Sequence, residues 1–307
     1  MHTEETPSRL GLGISIALAA YLFFVSASSL VWSFHSRFPV IQIIFIQNLV
    51  SFVLTLPLAL KRGTDGLKTS VLPIHLIRDV FGVVSYYLYF VAIRFLDLVD
   101  ATILNYTAPF FVPLVWWIWH KERVSSNVWW SIFIGFIGVA VILNPSREIL
   151  QLGFVFGIFA GITSAIAMCG IRVLNLKLEP TGRTLFYYFT TGIMLSAPFA
   201  WIYWVPPTGS EWVRAIGIGV ATSIGQILLT LSYRWGTASY LSPLGYATVV
   251  YAGLISYFLF GEEVGTRTWI GTALIIAGGT ATYLLKKKPA NLADTFRSPY
   301  PRERPPL

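Results

Sequence analysis

The sequence predicts an all-α integral membrane protein with ten transmembrane helices, arranged as two inverted five-helix repeats. Three observations carry this expectation. Of 307 residues, 55% are hydrophobic and only 12% charged, about half the charge of a typical soluble domain. The charges fall in short clusters between uncharged stretches, each long enough at 1.5 Å rise per residue to cross a hydrocarbon layer of about 30 Å. The layout of these stretches also repeats at a displacement of 140 residues.

The first stretch, Leu10 to Phe34, is 25 residues long. It exceeds the apolar region of a secretory signal, so it reads as a span although Ser26-Ala27-Ser28 imitates a cleavage site. The second runs from Phe38 to Leu60. The third, Pro73 to Leu96, has an uncharged core, Val80 to Ile93, that is too short alone and needs Arg78, Asp79 and Arg94 in its end turns. Ala101 to Trp119 and Val124 to Ser146 complete the first half. Ile149 to Ile171, Thr184 to Ser210, Ala215 to Tyr233, Trp235 to Gly261 and Thr268 to Leu285 form the second. None shows the period-two alternation of an outer-membrane barrel, so the spans are helical.

Loop charges orient the chain. With both termini cytoplasmic, 17 of the 22 Lys and Arg residues lie inside and 5 outside, as the positive-inside rule requires. The chain then divides into a cytoplasmic tail (1–9), a first repeat (10–146), a second repeat (149–285) and a basic, Pro-rich cytoplasmic tail (286–307). Lys286 to Lys288 suit anionic headgroups. The tryptophans Trp116, Trp117, Trp119, Trp129, Trp130, Trp201, Trp204 and Trp212 sit at span ends, where interfacial rings belong.

These features exclude several functions. A net charge of +8 spread over the cytoplasmic turns is topological and gives no sign of a nucleic-acid partner. One cysteine, Cys169, builds neither a disulfide framework nor a cysteine-rich metal site. No nucleophile with a base, no ligand-spaced His pair and no carboxylate cluster points to an enzyme or a cofactor.

At the 140-residue displacement, Gly13 falls on Gly153, Arg94 on Arg234, Tyr106 on Tyr246, Glu122 on Glu262, Trp129 on Trp269 and Gly138 on Gly278. A five-helix unit ends on the side opposite its start, so a second copy enters the bilayer upside down. Two inverted halves have two related packings, which is the basis of alternating access to a site between them.

The matched ends of the fourth and ninth spans are Ala108-Pro109 running to His120-Lys121-Glu122, and Ser242-Pro243 running to Phe260-Gly261-Glu262. With the glycine-rich fifth and tenth spans (Gly135 to Gly138, Gly271 to Gly279), they resemble the drug/metabolite transporter superfamily, specifically its EamA-like ten-span carriers. Lys121-Glu122 departs from the Gly-Glu that often closes the fourth span. The resemblance implies a basket in which spans one to four and six to nine enclose a central cavity. It also implies transport of a small organic metabolite, such as an amino acid, nucleoside, cofactor or amphiphile, across the bacterial inner membrane. A passive channel or uniporter remains the alternative, with a membrane-embedded enzyme behind it.

Polar side chains inside spans point to a cavity, because a polar group facing lipid is costly. Gln47, Asn48, Tyr86, Tyr89, Asn105, Tyr106, Tyr187, Tyr188, Gln226 and Tyr246 are the candidates; each amide could instead satisfy a neighbouring backbone. Pro109 and Pro243 are candidate hinges. Asp79, Arg94, Asp100, Glu211 and Arg214 lie near span ends and the histidines in tails, loops or boundaries. The expected chamber is therefore uncharged and tyrosine-rich, without a proton relay, and suited to a neutral, zwitterionic or cationic solute. The expected partners are that small molecule and the lipid bilayer, with a homodimer left open.

Overall fold

The computed structural model describes residues 7–34, 37–121, 133–134, 137–138, 141, 152–232, 235, 244–245, 247–261 and 265–284. Among them are helices and no strand. They are α1 (Pro7–Trp32), α2 (Val40–Ala59), α3 (Leu72–Ala92), α4 (Leu98–Asn105), α5 (Ala108–His120), α6 (Leu152–Leu176), α7 (Thr181–Ile202), α8 (Gly209–Ser232), α9 (Ala247–Ile255) and α10 (Thr266–Leu284). Two short 3₁₀ turns, Leu60–Arg62 and Thr64–Leu67, join α2 to α3, and a π turn, Ser256–Phe260, extends α9. Counting α4 and α5 as one, 7 helices among the described residues are long and apolar enough to cross a membrane. Helices are the form such runs must take, since lipid offers no partner for a free N–H or C=O.

The outer faces carry Val53, Ile118, Met194, Phe199, Val213 and Phe258, all exposed. Ile43, Ile44, Phe90, Leu98, Ile103, Leu104, Leu185, Phe189 and Ile218 fill the centre. A chain apolar both inside and outside has lipid as its solvent.

Several boundaries differ from the expected ones. The fourth span is broken: α4 stops at Asn105 and α5 starts at Ala108 with Pro109 in its first turn. The missing proline N–H leaves a gap in the helical ladder there. The eighth helix begins at Gly209 and takes in Glu211 and Arg214, while the seventh ends at Ile202, before Pro206 and Pro207. In α3, Arg78 and Asp79 lie in the second turn with 2% and 0% exposure. They are packed inside the protein, not at a water-facing end turn. Most of the expected fifth span and the start of the ninth fall outside the described residues.

The helix contacts have an internal order. The most extensive are α3 with α6, α1 with α8, and α2 with α7, followed by α2 with α8 and α3 with α7. Exchanging α1 for α6, α2 for α7, α3 for α8 and α4/α5 for α9 converts this set into itself. Contacts of α4 and α5 with α6 correspond to that of α1 with α9. One side-chain bond ties the halves directly: Ser51 Oγ of α2 donates to the Gly219 carbonyl of α8 at 3.0 Å.

Candidate functional site

A cavity of about 110 Å³ lies between α1, α3, α4/α5, α6, α7 and α8. α3 lines it with Arg78, Gly82, Ser85, Tyr86 and Tyr89, a spacing that keeps one helical face turned inward. α1 contributes Tyr21, Phe24, Val25 and Ser28, and α6 contributes Ser164, Ala167, Met168 and Ile171. The break between α4 and α5 supplies Asn105, Tyr106, Ala108 and Pro109. Thr107 Oγ1 turns back to the Leu104 carbonyl at 2.6 Å and satisfies the broken end.

Six sequence-predicted residues meet here: Tyr86, Tyr89, Asn105, Tyr106, Tyr188 and Gln226, with Pro109 beside them. The Tyr89 hydroxyl lies 2.8 Å from Thr102 Oγ1. Tyr106 meets Tyr21 edge-on at 5.9 Å. Asn105 Oδ1 has no hydrogen-bond partner among the described residues. Gln47 and Asn48 are absent from the lining. Both are buried in α2, where Asn48 faces Gly192 of α7 and donates to its own helix at Ile44, 2.8 Å away. Their depth in the span was readable, but their facing was not. Tyr187 also turns away, donating to the Leu67 carbonyl at 3.0 Å. Tyr246 and Pro243 lie outside the described residues.

The expectation of an uncharged chamber is wrong. The Arg78 guanidinium lies 3.7 Å over the Tyr188 ring. Its Nη1 donates to Asp79 Oδ1 at 3.2 Å and its Nη2 to Gln226 Oε1 at 3.4 Å. Close helix approach makes the room: a Cβ at Gly170 of α6 would fall 2.7 Å from Arg78 Cβ, and one at Gly82 would fall 2.9 Å from Tyr188 Cε2. The sequence alone places Arg78 in an end turn of the third span. Its spacing of four, eight and eleven residues from Gly82, Tyr86 and Tyr89 was the signal that places it on the chamber face. Gly82→Val is expected to push Tyr188 off the guanidinium and to cost about 1–3 kcal/mol through overpacking. Thermal unfolding in detergent checks this, and an unchanged midpoint would mean that the ring has slack.

Polar networks close both ends of the helix set. At one end Glu179, before α7, accepts from Arg183 Nη1 at 3.0 Å and Thr69 Oγ1 at 3.0 Å, and its Oε2 lies 3.3 Å from His75 Nε2. Arg183 Nε also donates to the Gly66 carbonyl at 2.7 Å. At the other end Arg37 pairs with Glu211 at 3.1 Å, Arg214 donates to the Ser33 carbonyl at 3.1 Å, and Gln42 makes bonds of 2.7 and 2.9 Å with the Val205 backbone. Arg94 donates to the Phe38 carbonyl at 2.6 Å. No group of three or more His, Cys, Asp or Glu able to hold a metal occurs among the described residues.

Known proteins show what this arrangement is similar to. A pseudopaline exporter of Pseudomonas aeruginosa is 27% identical over 277 residues, covering 90% of this chain and 97% of the exporter. An S-adenosylmethionine uptake transporter of Rickettsia felis is 25% identical, covering 76% of this chain and 80% of that one. A riboflavin transporter of Brucella anthropi is 25% identical, covering 81% and 89%. A solved crystal structure shares the fold, with a TM-score of 0.63 and 20% identity over 89% of this chain and 96% of its own. The model of the EamA-like transporter family matches twice, at residues 11–144 and 151–284. This chain is thus a multi-pass membrane protein, a transporter of small metabolites, and it belongs to the EamA-like transporter family.

Proposed function

We propose that the protein carries a small organic metabolite across the bacterial inner membrane by alternating access. In this reading ten spans form two oppositely oriented five-helix repeats, 10–146 and 149–285, and both termini are cytoplasmic. Substrate binds in the chamber to Tyr86, Tyr89, Asn105, Tyr106, Tyr188 and Gln226, with Tyr246, the counterpart of Tyr106 in the second repeat, as a further binding residue. The unpartnered Asn105 Oδ1 accepts a donor hydrogen from the solute. Pro109, at the break between α4 and α5, acts as a hinge, and Pro243 is its proposed counterpart in the second repeat.

One observation carries the reading: equivalent positions of the two halves line one chamber. Phe24 and Ser164, Ser28 and Met168, Tyr86 and Gln226, Tyr89 and Leu229, and Asn105 and Gly245 all line it, and each pair is 140 residues apart. The double family match has the same displacement, and the helix contacts survive exchange of the halves. A binding site on an axis between inverted halves faces one side or the other as the halves rock. The chamber of about 110 Å³ is below the roughly 300–1,000 Å³ of small-molecule pockets. Entry of a metabolite therefore requires the lining helices to part.

The relatives' solutes guide the test. Proteoliposomes should show saturable counterflow of labelled riboflavin, S-adenosylmethionine or an amino acid. A leak that rises linearly with concentration and shows no counterflow would make the protein a channel. Cysteines introduced at Thr64 and Lys286 should react with an impermeant maleimide from the same face; opposite faces would overturn the even helix number and the inverted repeats.

A further inference from the structure

We infer that Arg78 is the anion-binding point of the chamber and that the transported solute carries a carboxylate which docks on it. This deepens the carrier reading above and rests on it.

The first ground is the state of the guanidinium. It has five N–H donors in a planar fork. Its contacts at 3.2 Å to Asp79 and 3.4 Å to Gln226 are long beside the roughly 2.7–2.9 Å of a well-made charge-assisted bond. Nε, buried with a side chain 2% exposed, has no partner among the described residues. The Tyr188 ring, stacked at 3.7 Å, fixes the plane of the fork without using any of its donors. An oriented, unsaturated guanidinium at a chamber wall is built to take the two oxygens of a carboxylate.

The second ground is a control within the chain. At 140 residues' displacement Arg78 and Asp79 correspond to Ile218 and Gly219 of α8, both buried. Helix α8 packs on α1 much as α3 packs on α6, so this register is filled well by an apolar pair. Packing therefore does not require the ion pair. Nor does stability, because a buried ion pair seldom outperforms apolar residues of similar volume. Ionisable groups inside a span belong by default to a solute or ion pathway.

The remaining surroundings define the chemistry. Asp79 is fully buried and absent from the chamber lining, so it stands behind Arg78 as a counter-ion that positions the fork. Arg78 is the one basic residue among the described lining residues. One cation already facing one anion suits a monoanionic carboxylate and undercompensates a phosphate dianion. The tyrosine walls suit an apolar or aromatic remainder.

The test uses the full-length protein in proteoliposomes and solutes that differ only in the carboxylate: tryptophan against tryptamine, histidine against histamine, and S-adenosylmethionine against its decarboxylated form. Riboflavin serves as a carboxylate-free control. At least one acid should exchange tenfold or more faster than its amine. Arg78→Gln with Asp79→Asn, which removes both charges together, should lower exchange of that acid at least tenfold and abolish the preference over the amine. The unfolding midpoint of this variant in detergent reports that it is folded. Should it prove unfolded, Arg78→Lys in the Asp79 background takes its place, since a lysine point charge lacks the fork and should lose most of the preference. Amines exchanging as fast as their acids, riboflavin alone being moved, or a folded charge-free variant exchanging the acid at the wild-type rate would each overturn the inference and leave the carrier standing. If no solute moves in any arm, the carrier reading fails and takes this inference with it.

Discussion

Replacing Asp79 alone by leucine is expected to destabilise the fold by about 3–5 kcal/mol, the usual consequence of removing one partner of a buried ion pair. The reason is local. Arg78 is 2% exposed, its carboxylate neighbour is Asp79 Oδ1 at 3.2 Å, and no acidic residue lines the chamber among the described residues. Without Asp79 a full positive charge is left in a low-dielectric interior with only a tyrosine face and an amide oxygen to answer it. The double change Arg78→Ile with Asp79→Gly installs the pair that α8 carries at Ile218 and Gly219. It should recover most of the loss, with a residue of about 1 kcal/mol for a glycine inside a helix. The singles Arg78→Ile and Asp79→Gly together with this double form a cycle whose coupling energy, read by chemical or thermal unfolding in detergent, should exceed about 2 kcal/mol. An Asp79→Leu protein as stable as wild type would mean that water reaches Arg78 and that the pair is not buried in the working protein.

This cycle separates two roles that the folded geometry joins. Stability should follow the balance of charge and be restored when both residues go. Exchange of a carboxylate solute should follow Arg78 and be lost when both residues go. A variant that is stable yet inactive toward acids would distinguish a recognition group from a structural one.

The helical class and the seven membrane-length helices among the described residues were legible because lipid imposes one rule on every residue of a run: apolar on the outside, backbone bonds satisfied within. The third span was legible too, although Arg78 and Asp79 had to be accommodated in it. What escaped was facing. Gln47 and Asn48 sit as deep in α2 as Tyr86 sits in α3, yet they pack against other helices while Tyr86 turns to the chamber. Depth follows from position along a run, whereas facing depends on how neighbouring helices cross, and composition does not encode that. The break at Tyr106 and Thr107 was foreshadowed by Pro109, since a proline removes the bond to the carbonyl four residues earlier. Arg78 was misplaced because a charge near the start of a span is equally compatible with snorkelling to the interface and with burial. The helical spacing to Gly82, Tyr86 and Tyr89 decides between them once those residues are known to share a face.

The second large effect concerns the end of the molecule where α3 and α7 begin. Glu179 Oε2 accepts from Arg183 at 3.0 Å and lies 3.3 Å from His75, and Oε1 accepts from Thr69 at 3.0 Å. The carboxylate, 6% exposed, thereby ties the segment entering α3 to the segment entering α7, one from each half of the chain. The pairing of Gln42 with Val205 does the corresponding work at the opposite end, so opening the Glu179 end alone should shift the balance between two arrangements and leave each intact. Hydrogen bonds to a charged group are worth about 1.5–3 kcal/mol, and losing that from one arrangement changes a two-state ratio by roughly 10- to 100-fold. Glu179→Ala should therefore raise labelling of a cysteine placed at Met168, in a Cys169→Ala background, at least tenfold from the face that bears Lys68. Labelling from the other face should fall. Glu179→Asp, which keeps the charge but shortens the reach, should lie between. Equal labelling of wild type and Glu179→Ala from both faces, in protein with an unchanged unfolding midpoint, would show that this network holds loops together without controlling entry to the chamber.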